Sequence, residues 1–207
     1  MEHRDMKCPK VGKPKKKVSG LTTDQQKKFV EALENTAPPQ GRNDYRIQLM
    51  IELYSGMRMG EINALRREDI DFKKNVIHVR RTISRGFEYR EFLNDTTKTD
   101  AGQRDVPISN KLRPYLEQAL AKQKPNKEDL IFYDYGKNSL VTTSQVNCYY
   151  KRVCRKIGIP ADGQHALRHT FATRCIESGI PVIVLKTGSA TQIYTSHSTH
   201  IQTYSTA

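Results

Sequence analysis

No stretch of the sequence approaches the roughly 18 consecutive apolar residues of a membrane-spanning helix, so we expect no membrane span. No apolar segment follows residues 1–5 either, and we therefore expect no secretory signal. Cysteine is sparse, and no two of the four cysteines have the C-x-x-C spacing that is typical of a zinc or redox site. Without a secretory signal, these cysteines are expected to be reduced thiols of a cytoplasmic protein.

The sequence also lacks the short motifs that bind metals and nucleotides. It contains no Walker-type phosphate loop, no EF-hand loop and no cluster of cysteine and histidine. These absences agree with an activity that needs no cofactor, neither a metal ion nor a nucleotide.

Acidic residues are too few to balance the basic ones. The 207 residues include 35 Lys and Arg against 22 Asp and Glu, which gives a formal net charge of +13 and a pI near 9.6. About +5 of this charge lies in residues 1–18, which we interpret as flexible and basic. Such an excess indicates a polyanionic partner, most often nucleic acid, and the alternative is a basic surface without one. With 36% apolar residues the chain can form the core of one domain, which excludes wholesale disorder.

Apolar residues recur at helical spacing over most of the chain, and the period becomes alternating in the middle. The pattern predicts helices over 23–35, 45–55, 60–65, 109–123, 142–157, 164–178 and 181–186. It predicts a β-hairpin from 76–80 and 87–93, and a third short strand at 104–107. We therefore expect an α+β fold, mostly α, in which helices flank one small antiparallel sheet.

Arg58 is the first candidate for chemistry. It follows Gly56 at the predicted junction of two helices, so its guanidinium can reach out of the domain and bind two phosphate oxygens. Glu61 lies one turn later and can orient this guanidinium. The alternative is an ordinary surface arginine that pairs with Glu61.

His165 and Arg168 lie three residues apart, and therefore on one face of a predicted helix. The imidazole can donate a proton or a hydrogen bond, while the guanidinium stays charged at any working pH, so the pair can clamp an anion. The alternative is a helix start with solvated polar residues.

Lys98 lies in a Thr-Lys-Thr segment just before a predicted turn at 100–102. A flexible lysine at this place can swing over a bound phosphate and donate a proton to a leaving oxygen. The alternative is an exposed lysine in a turn.

These segments occur in the order of a known family. The phrases GMRMGEINALRREDIDF, TTKTDAGQRDVPIS and HALRHTFATRCIESGIPVIVLK together resemble the catalytic domain of the tyrosine recombinases, the phage integrase family. The resemblance covers about residues 20–187 and implies a mostly helical catalytic domain with a small antiparallel β-sheet insertion. It implies site-specific DNA recombination or integration as the activity.

The resemblance also implies a role for each candidate residue. Arg58 and Arg168 would neutralise the non-bridging oxygens of the scissile phosphate, and His165 would position it and shuttle a proton. Lys98 would protonate the departing 5′ oxygen, and a tyrosine would form a 3′-phosphotyrosyl intermediate. Fixed cationic groups suit this chemistry, because the transition state concentrates negative charge and a positive field activates the weakly nucleophilic phenol.

The resemblance leaves open which tyrosine is the nucleophile. Tyr194 and Tyr204, which lie 26 and 36 residues after Arg168, bracket the position where the family has its tyrosine. We favour Tyr204, with Tyr194 as the alternative, and include His197 as a further candidate. The apolar-Gly-His segment that usually precedes the tyrosine is missing, so an altered register of this C-terminal segment is a third interpretation.

We expect a basic flexible linker (1–19), an integrase-like catalytic domain (20–187) and a nucleophile-bearing or disordered segment (188–207). Family members usually carry a helical domain before the catalytic one, so we expect a catalytic-domain fragment. Double-stranded DNA is the expected partner, bound by a homo-tetramer, with a monomer as the alternative when DNA is absent. Membranes are not expected as partners.

Two other functions stay open at this point. The first is a DNA-binding module that keeps the phosphate pocket but does not cleave. The second is an enzyme similar to type IB topoisomerases, which use a similar set of active-site residues.

Overall fold

The computed structural model describes residues 19–36, 44–86, 91–94 and 103–180, and all structural statements below concern these residues. The helices are α1 (Thr23–Glu34), α2 (Arg46–Ser55), α3 (Met59–Asn63), α4 (Arg113–Lys122), α5 (Thr143–Lys156) and α6 (His165–Glu177). A 3-10 turn covers Arg67–Asp69. Within the described ranges, none of these helices is long and apolar enough to cross a membrane.

Local capping signals set the helix starts. The hydroxyl of Thr22 accepts a hydrogen bond from the backbone N–H of Gln25 (3.3 Å), and the Gln25 side chain accepts one from the backbone N–H of Thr22 (3.0 Å). An equivalent Thr–Gln pair starts α5. Both helices therefore begin within a residue of the predicted place. α4 begins at Arg113, later than the predicted 109, and Pro114 fits its first turn.

The strands are β1 (Ile70–Asp71), β2 (Val76–Val79), β3 (Thr82–Arg85), β4 (Glu91–Asn94), β5 (Arg104–Pro107), β6 (Tyr133–Asp134) and β7 (Ser139–Leu140). In the part of the chain described, they form three small antiparallel sheets rather than the single predicted one. One sheet has the order β1-β2-β5, and the other two are the pairs β3-β4 and β6-β7.

The predicted hairpin between 76–80 and 87–93 is wrong in its pairing. β4 pairs with β3, with Thr82 opposite Asn94, whereas β2 pairs with β1 and β5. After β2 the chain turns away, and Arg81 holds the carboxylates of Glu68 (2.6 Å) and Asp69 (2.9 Å). These ion pairs join separate segments, so the local alternation of apolar residues does not reveal them.

α2 lies at the centre of the core, and eight of its ten residues are buried. It packs against α3, α4, α5 and α6. Its buried polar side chain Gln48 donates a hydrogen bond to the Oδ1 atom of Asn63 (2.6 Å), which satisfies both groups and ties α2 to α3. The prediction of a buried helix before Gly56 is therefore confirmed, and the surrounding helices pack against it.

Gly56 ends α2 in the left-handed region, with φ at +64°. Glycine adopts this conformation without the strain that a side chain brings. A Cβ at this position would also lie under 3.0 Å from two ring carbons of Phe171, which is on α6. The glycine therefore allows the turn after α2 to lie directly against α6.

The segment before α1 is attached to α6. The backbone N–H of Leu21 donates to the hydroxyl of Thr170 (2.7 Å), and Arg174 donates to the Leu21 carbonyl (3.0 Å). A Cβ at Gly20 would lie 2.9 Å from the backbone nitrogen of Thr170, so the backbones of these two segments are in close contact. The described chain therefore begins in contact with α6, its last described element.

Candidate active site

Arg58 stands at the N-terminal cap of α3, immediately after the Gly56 turn. Its backbone N–H donates to Glu61 Oε2 (2.8 Å), and its Nη1 donates to Glu61 Oε1 (2.9 Å). The Glu61 side chain is buried (4% exposed), whereas 59% of the Arg58 side chain is exposed. The buried carboxylate therefore contacts both the backbone and the guanidinium of a mostly exposed arginine. This contact fits both sequence interpretations, an orienting glutamate and an ordinary ion pair of a surface arginine.

His165 and Arg168 lie in the first turn of α6. Arg168 donates a hydrogen bond through Nη1 to the carbonyl of Gly56, two residues before Arg58. The start of α6 is further held by Asn147, whose side-chain oxygen accepts from the backbone N–H of Gln164 (3.1 Å). The α2–α3 turn and the first turn of α6 therefore form one site.

The positive groups of this site act on one another. Burial lowers the pKa of Arg168, and the charge of Arg58 lowers it further. Burial also lowers the pKa of His165 below its ordinary value, and the charges of Arg168, His169 and Arg58 add to this effect. These causes favour the neutral imidazole near the guanidiniums of Arg58 and Arg168. The structure brings Arg58, His165 and Arg168 together in a positive field that suits a phosphate.

Arg104 is a component of the site that the sequence pattern does not reveal. It donates through Nη1 to Glu61 Oε1 (3.0 Å) and through Nη2 to Glu61 Oε2 (2.7 Å). Burial tends to raise the pKa of Glu61, but the hydrogen bonds and charges of Arg104 and Arg58 outweigh it and lower the pKa. Glu61 is therefore an anion that two arginines share.

Glu52 is a second unexpected group. Its side chain is fully buried in the last turn of α2, and neither carboxyl oxygen has a hydrogen-bond partner among the described residues. Burial raises the pKa of Glu52 well above its usual range, and the charge of Arg168 offsets this only in part. Burial of Glu52 therefore favours the neutral form of a carboxyl group close enough to Arg168 to feel its charge. In the sequence, its signal is a glutamate between Ile51 and Leu53 in a mostly apolar run.

The remaining candidates, Lys98, Tyr194, His197 and Tyr204, lie outside the described residues, as does the helix predicted at 181–186. Their roles stay predictions. In the described part of the chain, no group of three or more His, Cys, Asp and Glu is arranged to hold a metal ion.

The comparison with known families defines the class of this protein. A family model described as the phage integrase family matches residues 20–200. The chain belongs to this family, and the predicted family and the mostly helical fold with small antiparallel sheets are confirmed.

Individual relatives are named as recombinases and integrases. The chain is 27% identical over 193 residues to a XerC-like tyrosine recombinase of Caldanaerobacter subterraneus subsp. tengcongensis, a match that covers 83% of this chain and 48% of that protein. It is 33% identical over 138 residues to a putative prophage phiRv2 integrase of Mycobacterium tuberculosis, covering 65% of this chain and 36% of that one. The chain thus spans half or less of these relatives.

A solved structure supports the fold. The Tn1549 transposon integrase (residues 82–397), in complex with circular intermediate DNA, aligns with a TM-score of 0.72 at 20% identity. The alignment covers 89% of this chain and 63% of that one.

Proposed function

We propose that this chain is the catalytic part of a site-specific DNA recombinase, which cleaves and rejoins DNA through a 3′-phosphotyrosyl intermediate. The observation that carries the proposal is the hydrogen bond from Arg168 to the carbonyl of Gly56. This bond joins Arg58 and His165, which lie on separate elements, into one positive site. Membership of the phage integrase family supports the same activity.

The geometry suits transfer of a phosphodiester. Arg58 and Arg168 would each contact a non-bridging oxygen and neutralise the charge that grows in the transition state. His165, whose pKa is lowered by its surroundings, would accept a hydrogen bond or donate one at the same phosphate. Because the donors are fixed before DNA arrives, little reorganisation is needed at the moment of reaction.

The covalent step exchanges one bond to phosphorus for another. The phenol of Tyr204, or of Tyr194, gives up its proton to His165 as its oxygen attacks phosphorus and the bond to the 5′ oxygen breaks. Lys98 supplies the proton that the departing 5′ oxygen takes up, and His197 is a further candidate contact of the phosphate. The 3′ phosphate stays on the tyrosine until a 5′ hydroxyl attacks it and regenerates the phenol.

We propose double-stranded DNA as the partner, bound by a tetramer, with residues 1–19 as a basic linker, 20–187 as the catalytic unit and 188–207 as the segment with the nucleophile. The positive charge of the chain supports this partner. A lambda integrase structure is a tetramer bound to a Holliday junction, and the Tn1549 integrase was solved with DNA. We further propose that the protein acts in the cytoplasm.

A trapped adduct tests the proposal. The chain is incubated with nicked duplexes of randomised sequence, in which cleavage beside the nick releases a short strand and traps the protein on DNA. We expect a covalent protein–DNA adduct, lost in Tyr204→Phe if Tyr204 is the nucleophile and in Tyr194→Phe if Tyr194 is. Sequencing the trapped DNA identifies the preferred site.

Arg168→Gln should reduce adduct formation by about 100-fold, because it removes one donor from the transition state. Arg155→Gln, an exposed arginine on α5, is the matched control and should change the rate little. DNA binding without any adduct, when both tyrosines are intact, would contradict cleavage and leave a non-cleaving DNA-binding module.

A further inference from the structure

Glu61 is a buried carboxylate with two arginine partners of unequal exposure. Arg104 uses its two terminal nitrogens on the two oxygens of Glu61, at 3.0 and 2.7 Å. Arg58 reaches only one of these oxygens with its guanidinium, at 2.9 Å. The Arg104 side chain is 14% exposed, against 59% for Arg58. Arg104 therefore takes the two-point contact inside the protein, and Arg58 takes the outer single contact.

The two contacts compete for the same oxygens. A guanidinium and a carboxylate fit each other best as a two-point pair, and such a pair uses the same fork that binds a phosphate. Arg58 is free of a two-point pair with Glu61 because Arg104 already has one. Removal of Arg104 would leave both oxygens to Arg58, which would fold back onto Glu61 and away from an incoming anion.

The structure holds Arg104 in place beside Glu61. It begins β5, and its Cα pairs with that of Val79 on β2, so the sheet fixes its backbone. Both of its terminal nitrogens already contact Glu61. A direct contact of this guanidinium with DNA is therefore not its role.

We propose that Arg104 is a positioning residue, which occupies Glu61 and so keeps the guanidinium of Arg58 available for a DNA phosphate. The proposal rests on the proposed function, since it names what prepares Arg58 for that phosphate. Its specific consequence is that Arg104 matters only while Arg58 is present.

A double-mutant cycle tests this dependence. The variants are Arg104→Gln, Arg58→Gln and the two together, and the measurement is the rate of adduct formation on the duplex selected with the wild-type chain. We expect Arg104→Gln to lower the rate about tenfold beside Arg58, and less than about twofold in the Arg58→Gln chain. Arg104→Lys should fall in between, because one ammonium group cannot match both oxygens of Glu61.

The matched control is Arg81→Gln. Arg81 is 12% exposed and binds the carboxylates of Glu68 and Asp69, so it resembles Arg104 in burial and pairing. We expect its effect on the rate, whatever its size, to be the same with and without Arg58. An Arg104→Gln effect that is equally independent of Arg58 would overturn the proposal, and thermal unfolding shows that each variant is folded. If Arg104→Gln does not fold, the double-mutant cycle is measured with Arg104→Lys in its place.

A binding measurement separates this proposal from the cleavage proposal. The affinity for a fluorescent duplex of random sequence is measured against salt concentration, which counts phosphate contacts without any cleavage. Arg58→Gln and Arg104→Gln should each reduce the salt slope by about one contact, and the double variant should match Arg58→Gln. An unchanged slope in Arg104→Gln would overturn the role of Arg104, even for a chain that forms no adduct.

Discussion

At the scale of single residues, Glu52 shows how far the site departs from ordinary packing. Both oxygens of this buried carboxyl are without a partner among the residues that the structure describes, and an anion in that position would be costly. Burial therefore raises the pKa of this carboxyl and favours its neutral form.

The stability of the protein should depend on pH through Glu52. The unfolded chain releases the Glu52 proton above its ordinary pKa, whereas the folded chain keeps it, so this residue costs stability as pH rises through that interval. We expect Glu52→Gln to gain stability relative to wild type by up to about 1.4 kcal/mol per pH unit above pH 5. Urea unfolding at a series of pH values measures the difference.

Glu117→Gln serves as the control for this prediction, since Glu117 is an exposed glutamate on α4. Its stability difference from wild type should stay nearly constant over the same pH range. A constant difference for Glu52→Gln as well would show that Glu52 ionises in the folded protein.

At the scale of elements, the turn between α2 and α3 is the joint on which the site depends. It places Arg58 at the cap of α3 and offers the Gly56 carbonyl to Arg168. The same turn packs against the ring of Phe171 on α6, which leaves no room for a side chain at position 56. The conformation of one glycine therefore sets the distance between the two halves of the site.

Gly56→Ala and Gly158→Ala separate backbone strain from lost space. Both glycines have left-handed φ, +64° and +69°, but a Cβ at Gly158 meets nothing within 4 Å. We expect Gly158→Ala to cost about 1 kcal/mol of unfolding free energy from strain alone. Gly56→Ala should cost about 2 kcal/mol more, because the ring of Phe171 must move. Equal losses in chemical denaturation would contradict this account.

The sequence predicts the helices better than the strand pairs, for a physical reason. α1 and α5 begin where Thr–Gln capping boxes stand, and these signals act over three residues. The strand pairs follow less directly from the sequence: the apolar alternation at 76–80 suggests a strand partner for 87–93, but β4 pairs with β3 and β2 pairs with β1 and β5. Likewise, the pairing of Arg58 with Glu61 follows from their spacing, whereas Arg104 lies 43 residues from Glu61 and needs the fold to reach it.

At the scale of the whole molecule, charge and site play different parts. The net charge of +13 would attract the proposed DNA partner at a distance, while a few arginines and one histidine meet at the candidate site. Phosphate contacts carry no sequence information, so we expect this chain to bind duplexes weakly and with little sequence preference.

Duplex affinity should therefore fall steeply with salt. Each phosphate contact adds about −0.9 to the slope of log affinity against log salt, so five contacts would reduce affinity by more than 100-fold between 50 and 200 mM. Fluorescence anisotropy with the selected duplex and with a scrambled one measures this, and both should show nearly the same slope. An affinity independent of salt would contradict binding through phosphates.

The attachment of residues 20–21 to α6 has a mechanical consequence. Leu21 is bonded to Thr170 and Arg174, so a pull on the chain before residue 19 reaches α6 directly through these bonds. That helix also bears His165 and Arg168 in its first turn. A force on residues 20–21 would thus act directly on the helix that contributes two residues to the candidate phosphate site.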